Sequence, residues 1–364
     1  MNTLRRVGFA LLAPVIAVLI AMAATSLVIV VTGSQSGVGD FWQIILTKPN
    51  DRILVDIVNQ SAMIYLSAVA AAIGFRMGLF NIGVEGQYGI ASYAAAVFAG
   101  AAFLPGPLNV VASLVVAVVV GALWAGIAGL LRVTRGVSEV ISTIMLNAIA
   151  GILVGYLLNR YGIKGGNSVR TPTIPQSSQV GGFSPFGAVA GEIWALGILA
   201  VLVGIGFSVL LNRTTFGFDL RATGASHTAA VASGIKVNRM VLISMLLSGG
   251  VAGLIWMPAF FGNAYTYGTT FQAGLGFTGI AVALLGRNQP FGMVFGALLF
   301  AFLTAQSNSL TLLTDISASV VQITQGVAVL AVVVAYELVR RYRVRLEQRA
   351  VAEAPRVQAE EVPA

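Results

Sequence analysis

Apolar residues occupy long blocks of this chain, separated by short stretches of polar residues or glycine. A helix that crosses a membrane needs about 20 consecutive apolar residues. Ten segments approach that length, approximately residues 9–31, 53–75, 78–103, 110–131, 140–158, 193–211, 240–261, 271–286, 292–306 and 319–336. The pattern predicts an all-α polytopic membrane protein of about ten transmembrane helices, with one transmembrane domain over residues 1–340.

The composition agrees with this prediction. Of the 364 residues, 57% are hydrophobic and only 9% are charged, whereas soluble domains are about 25% charged. The chain has no cysteine, one histidine and no HExxH pattern, which argues against disulfides, thiolate metal sites and a metalloenzyme. We therefore expect the chain to bind no metal or cofactor.

The basic residues are distributed unevenly between the two sides of the predicted bundle. With ten spans, sixteen Lys and Arg residues fall on the side of the N-terminus and five on the other, and the positive side is cytoplasmic. Both termini should therefore be cytoplasmic. The Lys and Arg residues behind the net charge of +8 lie at the ends of the predicted spans and in the tail. We therefore expect them to contact lipid and expect no nucleic-acid partner.

Three polar or ambiguous segments lie outside this pattern. The sequence Ala21-Met22-Ala23 could be a signal-peptidase site, but the apolar run continues to Val31, so we expect an uncleaved first span. The external loop 159–192 is either a plain connector or a surface for an outside partner. The cytoplasmic tail 341–364 should begin as a basic helix near lipid headgroups and end disordered.

The motif GLFNIGVEGQYG, residues 78–89, interrupts the third span. If Arg76 ends the second span, the purely apolar part of the third covers only Ile90 to Phe103. Its 14 residues reach roughly 21 Å at about 1.5 Å per residue, short of a hydrocarbon core of about 30 Å. The glycine-rich motif must therefore enter the membrane to complete the crossing.

A second short segment occurs in the other half of the chain. The sequence FQAGLGFTGIAVALLGRNQPFG, residues 271–292, is interrupted by Gly274, Gly276 and Gly279. Matching short, glycine-interrupted spans in two halves of a transporter indicate its translocation path. Spans 3 and 8 are therefore predicted to be broken or short, and spans 2–5 and 7–10 to form a possible inverted repeat.

Glu85 in the first motif needs a partner or water if it lies at membrane depth. Asn81 and Gln87 are candidate partners, and all three are candidates for the solute path. The alternative is that Glu85 lies solvated at the cytoplasmic interface and only positions the turn.

The fifth span begins with a second group of polar residues. Glu139 lies near the start of a predicted helix, where the helix dipole favours an acid. Ser142, Thr143 and Asn147 continue one polar stripe at helical spacing. These four residues are candidates for lining a path for a polar solute, and packing between helices is an equal alternative.

The cytoplasmic loop 212–239 contains the signals of a short helix. Ser226 suits an N-cap and Gly234 the residue after the last turn. Between them lie small side chains expected to be exposed, Ala229 and Ala230 among them. Because so short a helix is unstable alone in water, we expect it to pack against a partner.

The sequences FRMGLFNIGVEGQ, VSEVISTIMLN, GFDLRATG with ASGIKV, and GIAVALLG resemble bacterial ATP-binding-cassette importer permeases. The resemblance is to the branched-chain amino acid and simple-sugar superfamily, within it to the purine nucleoside (guanosine) subgroup. It implies a bacterial cytoplasmic (inner) membrane location and three partners: a cytoplasmic ATPase that uses ATP, a second permease subunit and an extracytoplasmic substrate-binding lipoprotein.

The resemblance also maps a coupling helix onto residues 226–234. Gly217, Arg221, Gly224 and Gly234 match the family pattern of this loop, which implies that the loop, with Ser226 and Ala229, contacts the ATPase. The absence of a GxxxxGKS/T motif agrees, because the chain then lacks the usual phosphate-binding loop.

The functional prediction is a nucleoside importer subunit and not an enzyme. The same importer type carrying a sugar or a branched-chain amino acid is one alternative. Another is an ion-coupled transporter or channel that uses Glu85 or Asp56.

Overall fold

The computed structural model describes residues 16, 19–31, 37–166 and 168–360. Its helices are α1 (Leu19–Val31), α2 (Val38–Leu46), α3 (Asp51–Arg76), α4 (Val84–Ala101), α5 (Gly106–Arg135), α6 (Glu139–Tyr161), α7 (Ile198–Arg213), α8 (Thr215–Ala225), α9 (His227–Ala232), α10 (Val237–Gly253), α11 (Met257–Ala259), α12 (Leu275–Leu285), α13 (Pro290–Leu313) and α14 (Ala318–Glu360). Four short strands are β1 (Ile163–Gly165), β2 (Ser168–Arg170), β3 (Gly182–Phe183) and β4 (Ile193–Trp194).

Each of the ten apolar segments contains a helix in the structure. Among the described residues, six helices are long and apolar enough to cross a membrane, so the prediction of a polytopic helical membrane protein is confirmed. Three others, including α12, are apolar but shorter. Residues 9–15, 17 and 18 of the first predicted span lie outside the described residues. The count of ten crossings and the inverted repeat stay predictions.

The chain divides into two compact units, where the sequence predicts one transmembrane domain. The larger unit covers residues 48–306, and the smaller one combines residues 1–47 with 307–364. The two glycine-interrupted segments, residues 78–89 and 271–292, and the loop 212–239 belong to the larger unit.

Small residues allow α5 and α10 to approach closely in the larger unit. A Cβ atom added to Gly121 would meet the carbonyl oxygen of Gly249, and one added to Gly253 would meet that of Ala117. Small residues on facing helices let backbones pack directly in membrane proteins. This crossing holds α10 against the bundle that contains residues 77–83, where the chain between α3 and α4 is not helical.

The long loop 159–192 is folded and belongs to the larger unit. It contains two antiparallel strand pairs, β1 with β2 and β3 with β4. Thr171 donates its N–H to the Tyr267 carbonyl at 2.9 Å, and Val180 to the Phe261 carbonyl at 3.0 Å. Phe261 lies in the π-helical turn Phe260–Ala264 that follows α11 and Tyr267 lies in the segment after it, so the loop supplies donors to backbone carbonyls outside the regular helices.

In the smaller unit, α14 packs against the N-terminal segment. Thr25 donates its hydroxyl to the Thr324 hydroxyl at 3.1 Å, and Ile16 packs against the buried Ala331 and Ala335. The tail differs from the prediction of a disordered end, because α14 continues to Glu360. Its Ala, Arg, Glu and Gln residues are strong helix formers. Residues 361–364 lie outside the described part of the chain.

Candidate functional site

The helical structure is interrupted at residues 77–83, between α3 and α4. We call this segment the first discontinuity. The N–H of Leu79 donates to the Gly74 carbonyl at 3.0 Å, and Gly78 has a φ of 78°, which together form the Schellman ending of a helix. The chain then reverses, since a Cβ on Gly74 would lie 3.4 Å from Cβ of Asn81. The segment runs back along the last turns of α3, so α4 begins inside the bundle.

Two buried amides stabilise this reversed segment. Asn81 and Gln87 are 0% and 1% exposed and exchange reciprocal hydrogen bonds of 3.0 and 2.9 Å. Asn81 also donates to the Ser248 hydroxyl at 2.7 Å, and Ser248 donates to the Ala70 carbonyl at 2.6 Å. The prediction that these amides are partners of Glu85 is wrong, because each amide satisfies the other.

Asn147 of α6 caps the start of α4 from outside that helix. Its Oδ1 atom accepts the N–H of Gly86 at 2.8 Å, and its Nδ2 atom donates to the Ile82 carbonyl at 2.9 Å. Gly86 lies in the first turn of α4, where backbone N–H groups have no acceptor within the helix. One half-buried side chain therefore satisfies backbone groups on both sides of the helix start.

Glu139 also reaches the first discontinuity, where its Oε1 atom accepts the N–H of Phe80 at 3.5 Å, whereas Ser142 and Thr143 form local contacts. Glu139 is 7% exposed and pairs with Arg132 at 3.4 Å, which adds to the expected dipole effect. The hydroxyls of Ser142 and Thr143 both donate, at 2.7 Å, to carbonyl oxygens one turn earlier in the chain. Both side chains are buried, so this geometry favours packing, and their role in a solute path stays a prediction.

Glu85 joins the starts of two helices. It lies in the first turn of α4, and its Oε1 atom accepts the N–H of Gly274 at 2.7 Å while Oε2 accepts that of Gly276 at 2.9 Å. These donors belong to the start of α12, where no intrahelical acceptor is available, and a carboxylate is favoured at the positive end of a helix dipole. Both oxygens of the half-buried carboxylate are thus bound to α12.

The helix start of α12 lies deep within the bundle. Ser67 of α3 donates to the Leu275 carbonyl at 2.8 Å, and nine residues separate Ser67 from Arg76 at the helix end. At about 1.5 Å per residue this places the contact about 13 Å from the end of α3. At such depth every backbone donor needs a protein or water partner, which Glu85 supplies.

Two glycines bring α12 into direct contact with its neighbours. A Cβ atom added to Gly276 would lie 2.5 Å from Cα of Glu85. One added to Gly279 would meet the Ser67 hydroxyl. A larger side chain at Gly276 would force α12 away from α4, and one at Gly279 would force it away from α3.

A cluster of aromatic rings borders the junction, and the sequence reasoning missed it. Tyr88 donates its hydroxyl to the Gln272 carbonyl at 2.6 Å, and its ring stacks on Phe271 with centroids 5.1 Å apart. Trp256 and Tyr267 contact Phe271 at centroid distances of 5.3 and 4.6 Å. The available signal was an aromatic residue directly beside each glycine-rich stretch.

The short helix predicted within residues 212–239 is present. In α9 the Ser226 hydroxyl accepts the N–H of Ala229 at 3.3 Å, and Gly234 follows the helix with a φ of 83°. Ala229 is exposed, but Ala230, expected to be exposed, is 2% exposed because it faces the rest of the loop. Contact of this helix with an ATPase stays a prediction.

The remaining loop residues attach α8 to the bundle. A Cβ on Gly217 would meet the Leu210 carbonyl, and one on Gly224 would meet the Arg76 carbonyl. Arg221 donates from Nη1 to the Leu211 carbonyl. Each of these matched positions therefore contacts backbone of α7 or α3.

Two further polar residues, Asp56 and Ser248, lie in the apolar spans. Asp56 is exposed near the start of α3. The sequence reasoning missed Ser248, although a polar residue inside an apolar span was the signal. Within the described ranges, no group of three or more His, Asp or Glu residues is arranged to hold a metal ion, and the expected absence of a bound cofactor stays a prediction.

Comparison with protein families assigns most of this chain to one family. The model of the family described as "Branched-chain amino acid transport system / permease component" matches residues 53–333. The matched range includes both discontinuous segments and the loops 159–192 and 212–239. It covers more than half of the chain.

Individual proteins show the same relationship. The chain is 33% identical over 336 residues to a guanosine ABC transporter permease protein, NupP, of Bacillus subtilis, which covers 90% of this chain and 94% of that protein. It is 29% identical over 303 residues to the glucose ABC transporter permease protein TsgB13 of Haloferax volcanii, 80% of this chain and 78% of that one. It is 30% identical over 256 residues to the nucleoside ABC transporter permease protein NupB of Lactococcus lactis, 68% of this chain and 70% of that one. The chain therefore belongs to the branched-chain amino acid transport system permease family and is a membrane subunit of an ABC transporter, a transport component and not an enzyme.

Proposed function

We propose that this permease subunit imports nucleosides across a bacterial cytoplasmic membrane. The choice of nucleosides as the substrate class rests on the similarity to the guanosine permease, which extends over 90% of this chain and 94% of that protein. A second relative is named for nucleosides. Family membership leaves the alternative of an ion-coupled transporter without support.

A sugar is the second candidate substrate. The glucose permease relative is 29% identical over 80% of this chain, only slightly less than the nucleoside permeases. Nucleosides and sugars both carry ring hydroxyls, which need a few well-placed hydrogen-bonding groups in a largely apolar site. A nucleobase additionally needs a flat apolar or aromatic surface.

The proposed path runs beside the junction of α4 and α12. Discontinuous helices near mid-membrane form the substrate sites of many transporters, and the contact of Glu85 with Gly274 joins two such helix starts. Asn81, Gln87 and Thr143 are buried with their hydrogen bonds made, so we assign them to shaping the first discontinuity. Glu85 and Asn147 are half-buried and remain candidates for the path surface.

Energy is proposed to come from a separate cytoplasmic ATPase that binds α9. The exposed Ala229 allows close approach of a partner, and the caps at Ser226 and Gly234 keep the short helix formed. A second permease subunit and an extracytoplasmic binding lipoprotein would complete the importer, the latter at the external loop. The proposal includes ten crossings, an inverted repeat of spans 2–5 and 7–10, and cytoplasmic termini.

Competition for uptake tests the substrate class. Host cells that lack only this chain are complemented with it, and uptake of labelled guanosine is measured against unlabelled nucleosides, glucose and leucine. We expect nucleosides alone to compete. Competition by glucose without competition by any nucleoside would contradict the nucleoside assignment and favour the sugar.

Chemical labelling tests the orientation, because the chain has no native cysteine. Single variants Lys164→Cys and Ala229→Cys are treated with a membrane-impermeant maleimide in intact and in permeabilised cells. Lys164→Cys should react in intact cells and Ala229→Cys only after permeabilisation. The reverse pattern would contradict the proposed topology.

A bulky charge on α9 tests the ATPase contact. We expect Ala229→Arg to reduce co-purification of the ATPase with the permease, because the small side chain permits close approach. Lys164→Ala in the external loop is the control and should leave co-purification unchanged. Full co-purification with Ala229→Arg would contradict the docking role of α9.

A further inference from the structure

Arg76, the last residue of α3, contacts the cytoplasmic loop through its backbone. A Cβ atom added to Gly224 of α8 would meet the Arg76 carbonyl oxygen, and one added to Gly78 would lie 3.7 Å from Cα of Gly224. Backbone therefore meets backbone at both points without an intervening side chain. Close-packed contacts of this kind transmit displacement directly, so movement of α8 reaches the start of the first discontinuity.

The side chain of Arg76 contacts the second discontinuous segment. Its Nε atom donates to the Asn288 carbonyl at 2.9 Å. Asn288 lies in the turn 286–289, which joins α12 to α13. One residue thus connects the cytoplasmic loop, the end of α3 and the end of α12.

The turn 286–289 has an unfavourable backbone conformation. Arg287 and Asn288 have φ values of 55° and 53°, in the left-handed region that favours glycine. The Oδ1 atom of Asn288 is buried and has no hydrogen-bond partner in the described part of the chain. Conformations of this kind persist only where the surroundings hold them, and the Arg76 hydrogen bond is part of those surroundings.

These contacts form a continuous ring that begins and ends at Arg76 and includes both discontinuous segments. From Arg76 the chain passes through residues 77–83 to α4, and Glu85 of α4 binds the start of α12. The end of α12 returns through Asn288 to Arg76. Displacement of Gly224 would therefore act on both discontinuous helices together, and transmission through α7 and α10 alone is not required.

From these contacts we infer that Arg76 is a positioning residue that couples movement of the α8–α9 loop to both discontinuous helices. The inference rests on the proposed docking of an ATPase at α9. Arg76 touches neither ATP nor, in this account, the solute. Its loss should separate ATP hydrolysis from transport while the complex still assembles.

The test compares Arg76→Met with Arg76→Lys in the assembled transporter in proteoliposomes. Met keeps the length of the side chain but removes the donor and the charge, whereas Lys retains a charged donor. For Arg76→Met we expect ATP hydrolysis near the wild-type rate and solute moved per ATP reduced by about tenfold, as for a broken coupling contact. For Arg76→Lys we expect the amount of solute moved per ATP to lie between the values for Arg76→Met and the wild type.

Arg135 provides a matched control. It is the last residue of α5, is followed by the left-handed Gly136 and is exposed. Arg135→Met should leave the ratio unchanged. The inference is overturned if Arg76→Met keeps the wild-type ratio, or if its ATP hydrolysis and uptake fall in the same proportion as the amount of assembled complex, which a purely structural role would produce.

Failure of the proposed function gives a different result. If α9 is not the docking site, Ala229→Arg retains the ATPase, whatever Arg76→Met does. If the solute is not a nucleoside, the ratio is measured with the solute that competes in the uptake assay, and the expectation for Arg76 is unchanged.

Spin labels test the mechanical link itself. Exposed Ala225 and Gln289 are replaced by cysteine in the chain, which has no other, and the distance between the labels is measured without nucleotide and with ATP. We expect one narrow distribution that stays the same in both states, and a broadened one with ATP after Arg76→Met. A distance that changes with ATP while Arg76 is present would contradict the coupling.

Discussion

At the start of α4 the backbone donors meet neutral amide oxygens, whereas at the start of α12 they meet a carboxylate. Asn147 accepts the Gly86 N–H at 2.8 Å, and Glu85 accepts those of Gly274 and Gly276 at 2.7 and 2.9 Å. Hydrogen bonds to a charged group are about twice as strong as those between neutral groups. The start of α12 therefore depends more on a single side chain.

The turns that follow α3 and α12 also differ, because only the turn after α12 places a non-glycine residue in the left-handed region. After α3 the left-handed position is Gly78, for which a φ of 78° costs nothing. After α12 it is Arg287 with a φ of 55°, where a residue with a Cβ atom costs roughly 1–2 kcal/mol. The first discontinuity has a glycine at its left-handed position and its buried amides bonded to each other, and the α12 segment is held in place by Glu85 and Arg76. The α12 segment therefore depends on charged side chains from two other elements, Glu85 at its start and Arg76 at its end.

The largest effect is expected for Gly276→Val, which places branched carbon atoms against the backbone of Glu85. Overpacking costs about 1–3 kcal/mol, and we expect the upper end because backbone cannot rotate away. Unfolding of the purified chain in mixed micelles should occur at lower denaturant. Gly206→Val is the control, since a Cβ at Gly206 meets no atom within 4 Å; equal effects of both changes would contradict close contact at the junction.

A smaller loss is expected for Glu85→Ala, which removes both acceptors at the start of α12. Hydrogen bonds to charged groups contribute about 1.5–3 kcal/mol each, and half-exposure reduces this, so we expect about 2 kcal/mol in total. Glu85→Gln should lose less, because one amide oxygen still accepts. Unfolding in mixed micelles measures both; a Gln variant as unstable as the Ala variant would point to a role for the charge alone.

Asn147→Ala should cost less than Glu85→Ala, which is the direct comparison of the two helix starts. Hydrogen bonds between helices in membrane proteins average about 0.6 kcal/mol each, so two such bonds amount to about 1 kcal/mol. The same unfolding measurement applies, with Asn159→Ala at the exposed end of α6 as control. If Asn147→Ala were the more damaging change, the contrast between neutral and charged caps would be wrong.

The smallest effect concerns the end of α3. Gly78→Ala should destabilise the chain by roughly 1 kcal/mol, because alanine does not suit a left-handed φ. The denaturant midpoint of the purified chain measures this change. A midpoint equal to that of the wild type would contradict the requirement for a left-handed residue at this helix end.

Helix positions and the two discontinuities followed from local features of the sequence. The 14 apolar residues from Ile90 to Phe103 were too few for a crossing, and clustered glycines marked where the helices break. Ser226 and Gly234 identified α9 because caps act within a few residues of the backbone they satisfy. These features need no knowledge of tertiary contacts.

The partners across the bundle could not be predicted in this way. Glu85 bonds residues nearly two hundred positions away, while the nearby amides Asn81 and Gln87 bond each other. A polar stripe on α6 gave no indication that only Asn147 reaches the backbone of α4. Which donor meets which acceptor depends on helix packing, and a single sequence does not specify it.

Uptake by the Glu85→Ala variant tests the central claim, that import depends on the joined starts of α4 and α12. Host cells lacking the chain are complemented with wild type or variant, and labelled guanosine uptake is expressed per chain found in the membrane with its ATPase. Loss of about 2 kcal/mol at the junction should lower uptake by about tenfold or more if it acts on the rate-limiting movement. Wild-type uptake by membrane-embedded Glu85→Ala would contradict the account.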